Sequence, residues 1–239
     1  KWLNFRPRNY HRFTNSDGEL TGMDAVDDYN LLFRFENAAY VTQGDDTLVT
    51  KNNLQVYLGS GSIFANKMRK LSSEINGFGG SIDRFSFVNT PYGAFWYDQI
   101  RKSIIYFDYK SISPANNKLQ SWLNEYGDGD VRAGYDPFSK NVFFTSLDKW
   151  NLHIKPEAKS EDGIPFISYH SWLPQRFIPL RYGLVSYDGK DLYKHNADGY
   201  QTFYGTTHTF DVGFLVNTKF QSSVLQSLDI FSEWIEHKA

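Results

Sequence analysis

Three aspartates sit at matching points of similar short phrases: Asp98 in Tyr97-Asp98-Gln99-Ile100-Arg101-Lys102-Ser103, Asp136 in Tyr135-Asp136-Pro137-Phe138-Ser139-Lys140-Asn141, and Asp188 in Tyr187-Asp188-Gly189-Lys190-Asp191. Carboxylates repeated in this way could hold Ca²⁺ or do acid/base work on a glycosidic bond. The stronger reading is structural. An Asp that opens a turn accepts hydrogen bonds from backbone N–H groups two residues on, and any hairpin of this shape uses one. Asp128-Gly129-Asp130 has the look of a cation loop but lacks the spacing and the terminal Glu of an EF-hand. The six histidines (His11, His153, His170, His195, His208, His237) are scattered, and none stands at a metal-ligand spacing from another, so each reads as a packing or surface residue.

Two features point to contacts with other molecules. Arg6, Arg8, His11 and Arg12 interleave cationic and aromatic residues around a proline, and could touch DNA passing through a channel. Docking onto an acidic neighbouring subunit is the stronger reading, because the rest of the chain carries no matching basic field. Trp150, Trp172 and Trp234 flank polar or Pro-containing turns, where an indole can anchor an interface or stack on a sugar, although most such tryptophans belong to a core. No Gly-x-Ser-x-Gly elbow, P-loop, dinucleotide fingerprint or HExxH occurs, so no catalytic residue, metal or cofactor is expected and the chain reads as a non-enzyme.

The elements that must carry these residues are mainly strands. The 239 residues include 42 aromatics, 20 Phe, 16 Tyr and 6 Trp, and such loading favours sheets. A net charge of −2 and a pI near 6.3 argue against a chain built chiefly to neutralise phosphates. The absence of Cys excludes disulfides, thiolate metal sites and cysteine nucleophiles. No apolar run approaches the ~18 residues that span a bilayer, and the chain reads as soluble. Lys1 in place of an initiating Met suggests a processed or expressed segment.

Phe210, Val212, Phe214 and Val216 alternate with polar or small residues as in a half-buried strand. Ser103 to Phe107 (SIIYF) and Asn141 to Thr145 (NVFFT) are apolar on both faces, as in a strand whose sheet is covered from above and below. Further strands are expected at Gln55 to Leu58, Phe85 to Asn89, Gly93 to Tyr97, Phe166 to His170, Leu184 to Tyr187, Asp191 to His195 and Leu228 to Ile235. Leu119, Trp122, Leu123 and Tyr126 share one helical face, which predicts a helix over Asn116 to Tyr126 that starts after Ser113 and Pro114 and stops at Gly127. Phe64, Met68, Leu71 and Ile75 repeat the spacing and suggest a short helix within a long loop. The chain divides into an extended N-terminal arm, 1–29, and one β domain, 30–239.

The Asp-centred phrases recur at 38 and then 52 residues, and each leads into an aromatic-rich strand. Repetition every ~40 to 50 residues is the period of propeller blades, which predicts a mostly β fold, a β-propeller of about four to five blades or part of a larger one, with one short helix. A β-sandwich with a helical insertion is the alternative.

INGFGGSIDRFSFVNTPYGAFWYD (75–98), RKSIIYFDYKSIS (101–113), GYDPFSKNVFFTSLD (134–148), FISYHSWLPQRFIPL (166–180), DGKDLYKHNADGYQTFYG (188–205) and VGFLVNT (212–218) follow one another in an order that resembles the β-propeller tail proteins of crAss-like gut bacteriophages, which build the muzzle, or nozzle, at the end of a short tail. The resemblance covers about residues 30 to 239, and such proteins are usually longer. It implies a structural virion component, assembled in the bacterial host cytoplasm into an oligomeric tail tip. Its implied partners are copies of itself and other tail proteins, with a host-surface glycan and channel DNA as further contacts. The competing reading is a carbohydrate-binding or glycoside-cleaving propeller.

Overall fold

In a computed structural model of the chain, residues 10–27, 30–42, 47–49, 55–57, 68–72, 77, 79–115, 118–147, 149–161, 163–197 and 202–209 are described. The strand expectations at 210–216 and 228–235 fall outside them. The first sheet has the order β1 (Leu20–Ala25), β2 (Leu31–Phe35), β3 (Ala39–Val41), β6 (Arg69–Leu71), with a separate hairpin of β4 (Thr47–Val49) and β5 (Gln55–Tyr57) between β3 and β6 in the chain. The second is a meander of β7 (Val88–Thr90), β8 (Gly93–Asp98), β9 (Ser103–Phe107) and β10 (Ile112–Pro114). The third is a meander of β11 (Val131–Asp136), β12 (Asn141–Ser146), β13 (Trp150–Ile154) and β14 (Phe166–His170). The fourth holds β15 (Arg176–Leu180), β16 (Gly183–Tyr187) and β17 (Leu192–Lys194), followed by the small hairpin β18 (Thr202–Phe203) and β19 (Thr206–Thr207). Every pairing is antiparallel.

Successive sheets lie face to face in chain order, and the period-2 alternation of strand side chains explains how. In β9, Ile105 and Phe107 enter a core shared with Leu32, Ala39, Val41 and Leu71 of the first sheet. Ile104 and Tyr106 point the other way, into a core shared with Val131, Val142, Phe144 and Leu152 of the third sheet. β12 repeats the arrangement. Val142 and Phe144 face the second sheet, while Phe143 packs with Trp172, Leu184 and Phe177 toward the fourth. SIIYF and NVFFT are thus covered on both faces, as their composition predicts. Such a row has more than two layers, which overturns the two-layer sandwich.

Close approach sets one glycine. Any Cβ on Gly80 would collide with the backbone of Glu36 and Asn37, and next to it the Ser81 N–H donates to the Phe35 carbonyl at 2.8 Å. The second sheet is entered by a chain pressed against the first.

Helix α1 (Gln120–Tyr126) is shorter than predicted. Its Leu123, with the preceding Leu119, enters the core between the second and third sheets, and the Gly127 N–H donates to the Leu123 carbonyl at 2.7 Å to end it. Ser113 and Pro114 do not start it, since they belong to β10. The helix suggested by Phe64, Met68, Leu71 and Ile75 is corrected where it is described: Arg69–Leu71 is a strand. Met68 and Leu71 would share a helical face, but in extended chain they point to opposite sides. Accordingly Met68 joins Phe33, Phe35 and Tyr40 on the outer face of the first sheet, and Leu71 joins the core toward the second. Over 85–89, a 3-10 turn at Arg84–Ser86 precedes the strand.

The expected boundary between an arm and a domain at residue 30 falls between two paired strands. Met23 lies opposite Phe33 and Asp24 opposite Leu32, so β1 is the first strand of the first sheet. Phe13 packs on the outer face of that sheet, its ring 4.5 Å from Phe35 and 5.0 Å from Tyr40 between centroids. Residues 10–25 are therefore folded onto the domain and do not form an extended arm.

Candidate functional site

The repeated aspartates are turn residues. Asp98 accepts from the Arg101 N–H at 3.0 Å, from the Arg101 guanidinium at 2.8 Å and from the Gly80 N–H at 3.0 Å. Asp136 accepts from the Phe138 N–H at 3.0 Å, the Ser139 hydroxyl at 2.6 Å and the Asn196 amide at 2.9 Å. Asp188 accepts from the N–H groups of Lys190 and Asp191, which hold its carboxyl below the ordinary range. Asp108 does the same for Lys110 and Ser111, in a turn that the repeated phrase does not flag. Asp98 and Asp188 share a place in their sheets, and Asp136 stands one turn earlier in its own. Asp98 ends the second strand of its sheet, Asp136 ends the first of its sheet, and Asp188 follows the second of its sheet. In the DGD segment, Asp128 pairs with Lys102 at 2.9 Å and Asp130 lies 3.7 Å from Arg132, so the two acids serve different cations.

Three histidines that look isolated in sequence meet between the third and fourth sheets. β13 and β14 pair with Asn151 opposite His170, which places His153 diagonally from His170. Their rings stack at 4.9 Å, with Nδ1 of His153 and Nε2 of His170 2.7 Å apart, a distance that needs one nitrogen to donate and the other to accept. Trp172 links them to His195 of the fourth sheet, with ring centroids 5.3 Å from His170 and 4.7 Å from His195. His195 in turn shares a 2.6 Å hydrogen bond with the Ser186 hydroxyl. Burial first, then the cost of adding a second charge beside a neighbouring imidazole (His170, with Lys155, for His153; His195 for His170), pushes His153 and His170 down to about 4, and burial lowers His195 against the pull of Asp136. The cluster holds neutral rings at working pH and serves as interlayer packing.

Of the residues expected at an interface, Arg6 and Arg8 lie outside the described residues. His11 meets Phe13 edge-on at 4.9 Å, and the exposed Arg12 guanidinium sits 5.5 Å above the Tyr10 ring. Trp150 and Trp172 are not surface anchors. They are 6% and 3% exposed, Trp150 donating its indole N–H to the Tyr126 carbonyl at 2.8 Å and Trp172 filling the core beside Phe143. Sequence shows an indole near a turn but not which side of the sheet it takes.

What holds the N-terminal segment is Asp17. Buried beneath the first sheet's outer face, it accepts from Lys70 Nζ at 2.5 Å, Tyr40 OH at 2.5 Å and Thr14 Oγ1 at 2.6 Å. Burial alone would raise its carboxyl, and these three donors outweigh it and hold the group below its ordinary value. Asp17→Ala removes the shared acceptor and should cost about 2 kcal/mol, less than a fully buried pair because Lys70 is partly solvated. Limited proteolysis is the check: cleavage within residues 10–18 should appear in the variant under native conditions. Equal protection in both proteins would show that Phe13 alone fastens the segment.

The first strands of neighbouring sheets converge on one edge, β11 lying beside both β7 and β15. There Arg84, Arg132 and Arg176 surround the ring of Phe85, and Asp83 forms an ion pair with Arg132. No helix among the described residues is long and apolar enough to cross a membrane.

Compared with known families, residues 1–189 match the family described as Crassvirus muzzle protein. The match takes in residues 1–29, which the resemblance read from the sequence leaves out, and ends before the last of the phrases that carry it. No curated protein matches the chain.

Proposed function

The chain belongs to the Crassvirus muzzle protein family and is a structural protein of crAss-like phage virions; from that premise we propose that it forms a β-propeller segment of an oligomeric tail tip and catalyses no reaction. One observation carries the propeller reading: antiparallel sheets stacked face to face in chain order, the later three beginning at Val88, Val131 and Arg176, 43 and 45 residues apart. That is the spacing of propeller blades, each of which covers its neighbour. The wider interval from Leu20 to Val88 accommodates the extra β4–β5 hairpin.

The reading as a non-enzyme is supported by the use of Asp98, Asp136 and Asp188 as turn acceptors, each engaged by backbone donors. The reading as an oligomer is supported by the far face of the fourth sheet, where Ile178, Leu180 and Leu192 are exposed. In this account the chain assembles in the host cytoplasm with copies of itself and other tail proteins. Antibody labelling of purified virions tests it. Label is expected at the distal end of the tail, and label on the capsid, or none on intact particles that contain the chain, would overturn it.

A further inference from the structure

Arg176, Arg84 and Arg132 place their guanidinium carbons 4.3, 4.9 and 5.2 Å from the centroid of the Phe85 ring. A cation resting on a ring face is held by the ring quadrupole, which leaves its N–H groups free to donate elsewhere. Two carboxylates stand nearby. Asp83 pairs with Arg132, and Asp130, largely exposed, lies 3.7 Å from the same guanidinium. Among the described residues neither Arg84 nor Arg176 forms an ion pair, and the buried Nε of Arg132 finds no acceptor. Burial and the charge of Arg176 both lower the Arg132 pKa, as expected of guanidinium groups held close together.

The cluster is also fixed in place. The Arg84 carbonyl accepts from Nη2 of Arg34 at 3.1 Å, and Arg34 is itself buried and paired with Asp24 at 2.9 Å. The Phe85 N–H donates to Asp83 at 2.8 Å, which sets the turn that presents the ring. The 3-10 turn ahead of the second sheet and the first strands of the third and fourth sheets therefore deliver guanidinium groups to one spot with more positive than negative charge.

We propose that this edge is an anion site for a phosphate group, gripped by Arg84 and Arg176 with Arg132 behind them. A phosphate suits it better than a carboxylate. Guanidinium forks bind pairs of oxygens, and a phosphate offers several forks oxygens at once, together with enough charge to offset the excess. The site depends on contacts among neighbouring sheets and not on ring closure or oligomer formation, so it stands or falls separately from the tail-tip reading.

The test uses the full chain and inorganic phosphate, titrated against chloride at constant ionic strength while the thermal midpoint is followed. Phosphate should raise the midpoint saturably and chloride should not. Arg84→Gln and Arg176→Gln should each weaken the apparent affinity about tenfold, the effect of losing a charge-assisted hydrogen bond. Both side chains are exposed and outside ion pairs, so these variants should fold. Arg181→Gln, which alters an exposed arginine stacked on Tyr182, should leave the response intact. An oligothymidylate arm separates sources: tighter, steeply salt-dependent binding through the same two arginines indicates a phosphodiester chain, and binding of phosphate alone indicates the free ion. Identical midpoints in phosphate and chloride, or a phosphate response unchanged in both variants, would overturn the proposal.

Discussion

Acidification from about pH 7 to about pH 4.5 should remove several kcal/mol of stability, most of it through the imidazoles between the third and fourth sheets. In the unfolded chain these rings titrate at their ordinary 6.5, whereas in the fold His153 and His170 do so at about 4 and His195 is lowered as well. Between those values the unfolded state binds protons that the folded state refuses. Their contribution is therefore complete above about pH 6.5, declines as the pH falls, and is exhausted below about pH 4. The two most shifted rings hydrogen-bond to each other, so the contribution of a few kcal/mol, at about 1.4 kcal/mol per pH unit, belongs to the pair and not to either ring. Asp17 and Asp108 are also held low, but carboxylates of that kind titrate beneath this window. Urea unfolding at several pH values provides the measurement. The double variant His153→Phe/His170→Phe should flatten the slope between about pH 6.5 and 4.5, and an unchanged slope would place the titrating groups elsewhere. Since Trp172 touches His170 and His195, its fluorescence should report the loosening first.

Much of the architecture is legible in short apolar strings because a strand shows its surroundings on alternate residues. SIIYF and NVFFT have no polar face, and two covered faces are the only setting that suits them. The repeated aspartates carry different information. They mark turns of one chemistry, and turns of one chemistry recur at different places in successive sheets, so their intervals of 38 and 52 residues are not the interval between sheets. A better ruler lies in the arginines. Arg84, Arg132 and Arg176 are 48 and 44 residues apart, close to the sheet-to-sheet interval, and they meet at one ring. The histidine cluster leaves no comparable trace. It depends on the register of β13 against β14 and on the angle between two sheets, and neither is encoded in the spacing of 17 and 25 residues. The docking of residues 10–25 is hidden for a similar reason, since it rests on Phe13 and Asp17, single side chains without periodicity.

The sharpest test of stacked sheets uses two adjacent phenylalanines. Phe143 and Phe144 are neighbours on β12, so period-2 geometry sends them to opposite faces. Phe144 enters the core between the second and third sheets, opposite Leu152 and Ala133. Phe143 enters the core between the third and fourth, its ring 5.4 Å from Trp172 and 5.9 Å from Phe177, above Gly134, where any Cβ would displace the Phe177 ring. Each truncation to alanine should cost about 3 to 5 kcal/mol, the larger share falling on Phe144, which is completely buried. The location of the damage matters more than its size. In a row where each sheet touches only its neighbours, loss of packing should weaken the nearest interface first. Amide hydrogen exchange should therefore quicken in β8 and β9 for Phe144→Ala, and in β15 and β16 for Phe143→Ala. If both variants loosened the same strands, the layers would unfold as one body and the independence of the two interfaces would be lost.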